Sequence, residues 1–480
     1  MRARLVAAAI FLISALYILA ALRLPVGIYN DDAANVLLAR SLRHGTYSFP
    51  GGLGAPEEYM PAFPLLLVVP ALLVEPHWNS LRAVGLTFAA LCLFLTWRLA
   101  RRFLSKEAAA AALLLTALNP VLVGLGGLVT PSLAYLALSL ALIDGIGAAE
   151  SRRNFLWLAA GAGIAPLLRP QGAVLIGCLA LALWHRRGLK RGLAFLSLAL
   201  LPALAWTARN HLRAGSSRDY VDTWRQQIAA LGETPILERA ANFLSPIFGG
   251  ALLSIPGTPL VQGVCGAVAV ALALTGAFFL LKKREDARVF VLSAYVAGLL
   301  VLHMTWRWID ARYLIPFVPV LWILIVAAAT KLLRERRVLM GALLAVFVAF
   351  PLPFDLSLAR LGLRGSAEFQ PETMAWIRGN LPASARLASM TDHAVALYTG
   401  RECLAQVPVL HAGQWVARAQ INHVDYLHLV LPRPEDEFNV AEFPAGYQPA
   451  FARWLDARPE ATQLYHNLDE GALVYRMNRP

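Results

Sequence analysis

The sequence predicts a polytopic α-helical membrane protein of about eleven transmembrane helices followed by a small C-terminal α/β domain, and three observations carry the prediction. Of the 480 residues, 58% are hydrophobic and 15% charged, a composition too apolar for an ordinary water-soluble domain. Lys and Arg fall in short clusters between apolar runs and land on one side of the membrane when the runs are counted as spans. Beyond about Arg360 the long apolar runs stop and the composition becomes that of a soluble domain.

In chain order, Arg2 and Arg4 precede the apolar run Leu5–Leu22. This reads as a retained first helix with a cytoplasmic N-terminus, because cleavage near Ala20 or Ala21 would release the anchor of the acidic loop that follows. The segment Pro61–Val74 is short for a span, and counting it as one would put Arg98, Arg101, Arg102 and Lys106 outside; it reads as an interfacial or re-entrant helix. Further spans are expected near 80–99, 108–125, 131–149, 155–168, 171–186, 192–208, 259–281, 288–304, 313–330 and 337–354. Their cytoplasmic ends collect Arg101/Arg102/Lys106, Arg152/Arg153, Arg186/Arg187/Lys190/Arg191, Lys282/Lys283/Arg284 and Arg334/Arg336/Arg337. The formal charge of +13 is therefore a topology signal rather than a nucleic-acid surface.

This count makes residues 1–359 a transmembrane domain with exoplasmic loops 23–79 and 209–258, and places 360–480 outside. In loop 209–258, helical patterns run over Tyr220–Leu231 and Ile236–Phe248. In the tail, a helix is expected from Pro371 and another over Pro449–Ala457. Strands are expected over Ala385–Met390 and Asp425–Leu431, with a terminal hairpin over Ala461–Leu468 and Ala472–Met477. Cys92, Cys178 and Cys265 lie inside apolar runs and Cys403 has no partner nearby in sequence, so no disulfide framework is expected. His44, His77 and His303 lack metal-ligand spacing.

The stretch Tyr29–Pro64 is the acid-bearing loop nearest the N-terminus. Asp31 and Asp32 open an apolar repeat (Ala34, Val36, Leu37, Leu38, Leu42) that reads as an amphipathic helix at a membrane surface. Carboxylates there also suit a helix N-terminus, so a capping role is the alternative reading for the pair. Two adjacent carboxylates also supply hard oxygen ligands, and Mg²⁺ or Mn²⁺ is the metal they would take, as an incomplete site.

A first membrane helix, then DDAANVLLARSLRHGTY, then MPAFPLLLVVPALL resembles the first periplasmic loop of bacterial GT-C glycosyltransferases, among them protein O-mannosyltransferase and lipid A aminoarabinose transferase relatives. LLRPQGAVLI (168–177), WTARNHLRAG (206–215), ARYLIPFVPVL (311–321) and IRGNLPASARLASM with LYTGR (377–401) are similar to later segments of that family, in the family's order. The resemblance implies transfer of a hexose or pentose from a polyprenyl phosphate to a cell-envelope acceptor (lipid, glycan or protein) at the exoplasmic face of a bacterial inner membrane. It gives Asp31 the role of catalytic base or of organising the site, with Asp32 beside it. Two departures stand out: GGLVTPSLAY (126–135) offers Thr130 and Ser132 where relatives carry a second acid, and Met60 stands where some relatives have a phosphate-binding Lys.

The residues make chemical sense for such a reaction, which needs a base near the acceptor and cations near the departing phosphate. Arg169, Arg209, Arg307 and Arg312 fall at exoplasmic helix ends against the positive-inside trend, and Arg suits bidentate phosphate binding; lipid-headgroup snorkelling is the alternative. Trp306 and Trp308 flank Arg307, where they would stack on a sugar or form an interfacial belt, and Asp310 is placed to pair with Arg312. Glu58 and Tyr59, with Asp392 and His393 behind a predicted strand, complete the sugar and acceptor candidates; Thr391 there also suits a helix cap. The competing classes are a transporter or flippase of lipid-linked sugar and an inactive scaffold of envelope assembly. A transporter would be expected to show repeat symmetry and broken helices at the midplane rather than charges gathered at one face.

Overall fold

The computed structural model describes residues 2–50, 59–214, 238, 253, 258–282, 286–305, 311–334, 336–361, 370–405, 412–431 and 447–478. They form two compact units: Met1–Ala21, Met60–Phe63 and Ala83–Arg360 in the first, and Leu22–Tyr59, Pro64–Arg82 and Leu361–Pro480 in the second. The helices up to Leu361 are α1 (Arg2–Leu22), α2 (Asp31–Arg43), α3 (Ala62–Val74), α4 (Arg82–Phe103), α5 (Lys106–Ala117), α6 (Pro120–Gly126), α7 (Pro131–Gly145) and α8 (Arg152–Leu168). They continue as α9 (Gly172–Arg187), α10 (Leu189–Ala214), α11 (Pro259–Leu281), α12 (Ala287–Thr305), α13 (Phe317–Leu332), α14 (Arg337–Ala349) and α15 (Leu352–Leu361).

Among the described residues five helices are long and apolar enough to cross a membrane: Trp78–Phe103, Pro131–Ala148, Leu189–Leu212, Pro259–Leu281 and Gly341–Arg360. A sixth arises if the bent pair α5 and α6 is one span, and Val6–Leu22, Ala62–Val74, Ala287–His303 and Phe317–Leu332 are shorter apolar helices. These make the chain a multi-pass membrane protein. The run expected as one span over 108–125 is instead two helices bent by 63°. Pro120 has no N–H to continue the ladder of α5 and takes the first turn of α6, while Asn119 before it is extended.

Close approach of helices in the first unit uses small residues, as lipid-exposed bundles require. A methyl group at Gly276 of α11 would overlap the Leu324 carbonyl of α13, and one at Gly163 of α8 would press on Pro202 of α10. Asp144 at the end of α7 is buried and pairs with Arg98 (2.6 Å) and Arg102 (3.1 Å) of α4 and with Arg288 (3.4 Å) of α12. One carboxylate thus ties three helix ends; removing it would leave Arg98 and Arg102 without their acid, while Arg288 keeps Asp286 (3.0 Å).

The second unit holds α2 and a five-stranded sheet. Its C-terminal elements are α16 (Pro371–Asn380), β1 (Arg386–Ser389), α17 (Asp392–Thr399), β2 (Glu402–Ala405), α18 (Ala412–Ile421), β3 (Tyr426–Val430), α19 (Tyr447–Asp456), β4 (Ala461–Asn467) and β5 (Ala472–Met477). The sheet order is β2-β1-β3-β5-β4, parallel at β1 with β2 and β3, antiparallel from β3 through β5 to β4. Val416 and Ala419 of α18 and Phe451 and Leu455 of α19 cover Leu427, Leu473 and Tyr475 of the sheet. The helix at 371, the strands within 385–390 and 425–431, the helix near 449 and the terminal hairpin lie where the alternation and end signals predict them. Sequence reading marked the start of α17 only through the cap at Thr391 and passed over β2 and α18.

Behind β1 and β3 a buried polar chain runs from Ser389 through His428 to Gln370. The Gln370 amide nitrogen donates to Glu470 O (3.0 Å), so its oxygen faces His428 Nε2 at 2.6 Å and accepts that proton. His428 Nδ1 then accepts from Ser389 Oγ (2.9 Å), whose oxygen accepts from Thr391 N (3.0 Å). Burial pushes the imidazole down to about 4, so it is neutral in this chain.

Candidate active site

The chain leaves α1 through a tight turn that the residues impose locally. Gly27 takes φ +103°, and a methyl there would press on Ala394 and Tyr398 of α17, so glycine meets both a backbone and a packing requirement. Tyr398 Oη donates to Val26 O (2.7 Å), and burial raises its phenol above the usual range. Asn30 has φ +53°, a conformation Asn adopts more readily than most residues, and α2 begins at the next position.

The two acids of the pair have different surroundings. Asp32 is 0% exposed; its Oδ2 accepts from Gly27 N (2.8 Å) and its Oδ1 from Ala33 N (3.0 Å). It ties the turn before α2 to the first turn of that helix, one oxygen folding back on Gly27 and the other taking the N-terminal amide of Ala33. Burial pushes its carboxyl up to about 7, against the opposing pull of the backbone N–H groups. Asp31 is half-buried, and its Oδ1 accepts from Tyr59 Oη at 3.2 Å. Tyr59 is itself placed by its carbonyl, which accepts from Tyr47 Oη (2.9 Å).

The structure brings Tyr59, Asp392 and His393 to this turn. The His393 ring stacks on Phe49 at 4.3 Å between centroids, and Tyr59 meets it edge-on at 5.7 Å. Asn30 makes the link: its Oδ1 accepts from His393 N (3.0 Å) and Ala394 N (3.1 Å), and its Nδ2 donates to Asp392 Oδ1 (2.9 Å). The helix cap expected of Thr391 is therefore supplied by Asn30, more than 360 residues away in sequence, while Thr391 Oγ1 lies against Ser389 Oγ (3.2 Å). Asp392 and His393 are 4% and 9% exposed, so they are packed within the turn rather than in the open. Asn30 and Phe49 were missed from sequence; an Asn between a glycine turn and an acid pair is the one signal that pointed to the former.

The arginine candidates lie in the first unit. Arg169 follows α8 and precedes Pro170, which keeps it extended; it is buried, and its guanidinium donates to Ser132 Oγ (2.7 Å) and Arg312 O (3.1 Å) and covers the Tyr313 ring at 4.8 Å. Ser132, in the segment that lacks a second acid, thus holds an arginine. Next in the same turn, Gln171 Nε2 lies 3.2 Å from His303 Nε2 and donates to Tyr313 O (3.3 Å). Arg312 is half-buried, and Arg209, near the end of α10, lies over the Trp206 ring at 4.4 Å with its guanidinium donating to Asn210 Oδ1 (2.8 Å). Glu58, Trp306, Arg307, Trp308 and Asp310 lie outside the described residues, as do the helical patterns over 220–231 and nearly all of 236–248.

Asp32 does not fit the role of an open metal ligand. Both Asp32 oxygens accept backbone N–H groups in a buried turn, and among the described residues no three His, Cys, Asp or Glu side chains cluster.

A family model described as dolichyl-phosphate-mannose-protein mannosyltransferase matches residues 59–208. No curated protein sequence matches the chain. Among solved structures, ArnT from Cupriavidus metallidurans bound to undecaprenyl phosphate superposes with a TM-score of 0.65 at 14% identity, over 98% of this chain and 96% of that one. The Archaeoglobus fulgidus oligosaccharyltransferase tethered to an acceptor peptide gives 0.51 at 14% identity, over 87% of this chain and 69% of that one. This likeness along nearly the whole chain shows that the protein has a GT-C-type fold.

Proposed function

We propose that the chain is an inverting glycosyltransferase of the exoplasmic face of a bacterial inner membrane. It moves a hexosyl or pentosyl group from a polyprenyl-phosphate donor to a hydroxyl of a cell-envelope lipid, glycan or protein. The observation that carries this reading is the division within the acid pair: Asp32 is sealed into the turn, whereas Asp31 is partly exposed and oriented by Tyr59. Asp31 is the general base. The acceptor O–H proton passes to its carboxylate as the acceptor oxygen bonds to the anomeric carbon; the bond from that carbon to the phosphate oxygen breaks, and its electron pair leaves with the polyprenyl phosphate. One displacement inverts the anomeric centre. The leaving group is a stable anion that needs cations more than a proton, and Arg209, Arg307 and Arg312 supply them, with Arg169 fixing the Arg312 backbone. Glu58, Trp306 and Trp308 contact sugar or acceptor, and Asp392 and His393 support the turn. The undecaprenyl phosphate bound by the ArnT structure supports the donor class, and the GT-C fold favours an enzyme over a flippase or scaffold.

The test is turnover by purified Asp31→Asn protein with a panel of polyprenyl-phosphate sugars, read as donor consumption. Asn keeps the shape and the Tyr59 contact while removing basicity, so the rate should fall about 10²–10⁴-fold with the fold intact. Near-normal transfer by folded Asp31→Asn would remove Asp31 from the chemistry. No consumption of any donor by the parent protein would sink the transferase reading itself.

A further inference from the structure

At the opposite end of α2 from Asp31, a cleft opens between α2 and α3. Arg40, Arg43 and His44 line one side, Glu75 closes the end, and Val68 and Leu72 form the apolar wall. Glu75 is shared: Arg40 reaches one of its oxygens at 2.9 Å and Arg43 the other at 3.6 Å. Arg40 is further fixed by the buried Trp78 ring, 5.3 Å below its guanidinium. Two guanidiniums facing one carboxylate leave one positive charge unmatched, and both remain close to half-exposed. The wall continues outward: Leu65, Leu66, Val69, Leu72 and Leu73 of α3 are all exposed, Leu73 at 78%. Such a surface on a thirteen-residue helix suits hydrocarbon, and a charged cleft at its edge suits the level where headgroup meets acyl chain.

Part of this arrangement has an ordinary cause. Cations suit the last turn of a helix, and an exposed ion pair is worth little by itself. Those causes explain why Arg40 and Arg43 stand beside Glu75 at the end of α2. They do not explain a cleft lined by both guanidiniums and His44 that runs into an exposed apolar wall. A phosphate diester matches the array, since guanidinium binds phosphate through paired charge-assisted hydrogen bonds and the attached chains match Leu72 and its neighbours.

We infer that this cleft binds the phosphate of an anionic membrane phospholipid, its headgroup on Arg40 and Arg43 and its acyl chain along α3. The site is separate from Asp31 and anchors the C-terminal end of the helix whose first residue Asp31 is.

The full chain, purified in detergent, is titrated with phosphatidylglycerol, with phosphatidylcholine as the zwitterionic control and inorganic phosphate as competitor, and bound lipid is counted by native mass spectrometry. Parent protein should hold one phosphatidylglycerol more tightly than the rest. Arg40→Gln with Arg43→Gln should weaken that one by about ten-fold or more, the scale of a lost charge-assisted contact. Glu75→Gln should tighten it several-fold, because both guanidiniums lose their internal partner; a misfolded protein would not gain binding, so this arm stands even if the double variant folds poorly. Equal retention of phosphatidylcholine, unchanged retention in the double variant, or no gain in Glu75→Gln would overturn the proposal. Displacement of phosphatidylglycerol by equimolar inorganic phosphate would show a free-anion site instead. Retention is measured without sugar transfer, so neither result depends on the catalytic reading.

Discussion

Replacing Asn30 by Gly isolates one side chain on which the turn before Asp31 depends. Glycine keeps φ +53° accessible, so the backbone carries no new strain, and the change removes three hydrogen bonds of 2.9–3.1 Å. Two of them cap α17, a loss of about 0.5–2 kcal/mol. The third satisfies the buried Asp392 carboxylate, and bonds to charged groups contribute about 1.5–3 kcal/mol. Allowing for non-additivity, the local stability of α17 on α2 should fall by about 2–4 kcal/mol. At about 1.4 kcal/mol per decade this is roughly a 30- to 700-fold faster opening. Hydrogen exchange followed by mass spectrometry, over peptides covering 392–399 and 27–36, reads it directly. The charge-swapped pair Asn30→Asp with Asp392→Asn should restore slow exchange, because the carboxylate introduced at position 30 still accepts both amides and the side-chain amide introduced at position 392 now donates to it. Asn30→Asp alone sets two carboxylates together and should not. Exchange within three-fold of the parent in Asn30→Gly, or failure of the pair to rescue, would refute the link.

Asp32 gives a signed pH effect. Its folded value, about 7, lies above its unfolded value near 4, so the folded protein holds the proton more tightly; the stability this adds is complete below pH 4 and lost as pH rises through 7, a change of about 4 kcal/mol. Asp32→Asn removes that dependence but accepts only one of the Gly27 and Ala33 N–H groups, costing about 1–3 kcal/mol. Its melting temperature should therefore trail the parent at pH 5 and close the gap by pH 8; a constant gap would contradict the assignment. His428 acts in the other direction: its folded value of about 4 lies below the unfolded 6.5, so stability present above pH 6.5 is lost as pH falls toward 4, by about 3 kcal/mol. His428→Gln should flatten that acid limb in thermal melts, and an unchanged limb would place the titration elsewhere. In α15, Asp355 is 0% exposed with no hydrogen-bond partner for either carboxyl oxygen among the described residues. Asp355→Leu should be neutral or stabilising by about 1–3 kcal/mol, and a clear loss of stability would reveal a partner.

Hydrophobic runs, the one-sided basic clusters and the change of composition near Arg360 are properties of short windows, and solvent transfer acts on short windows. For that reason the helical membrane class and the terminal hairpin could be read from the chain alone. The difference between Asp31 and Asp32 could not. Neighbouring acids have the same local chemistry, and only the fold-back of Asp32 onto Gly27 and the reach of Tyr59 to Asp31 separate them. The bend at Asn119–Pro120 was written in the Pro, but whether such a run kinks or ends depends on what packs around it. The role of Ser132 follows from Arg169, 37 residues away, and that of Asn30 from an α17 more than 360 residues away. Contacts at such separations leave no periodic trace in sequence, because they are selected by the burial and hydrogen bonding of the folded chain and by nothing in the neighbourhood of either residue.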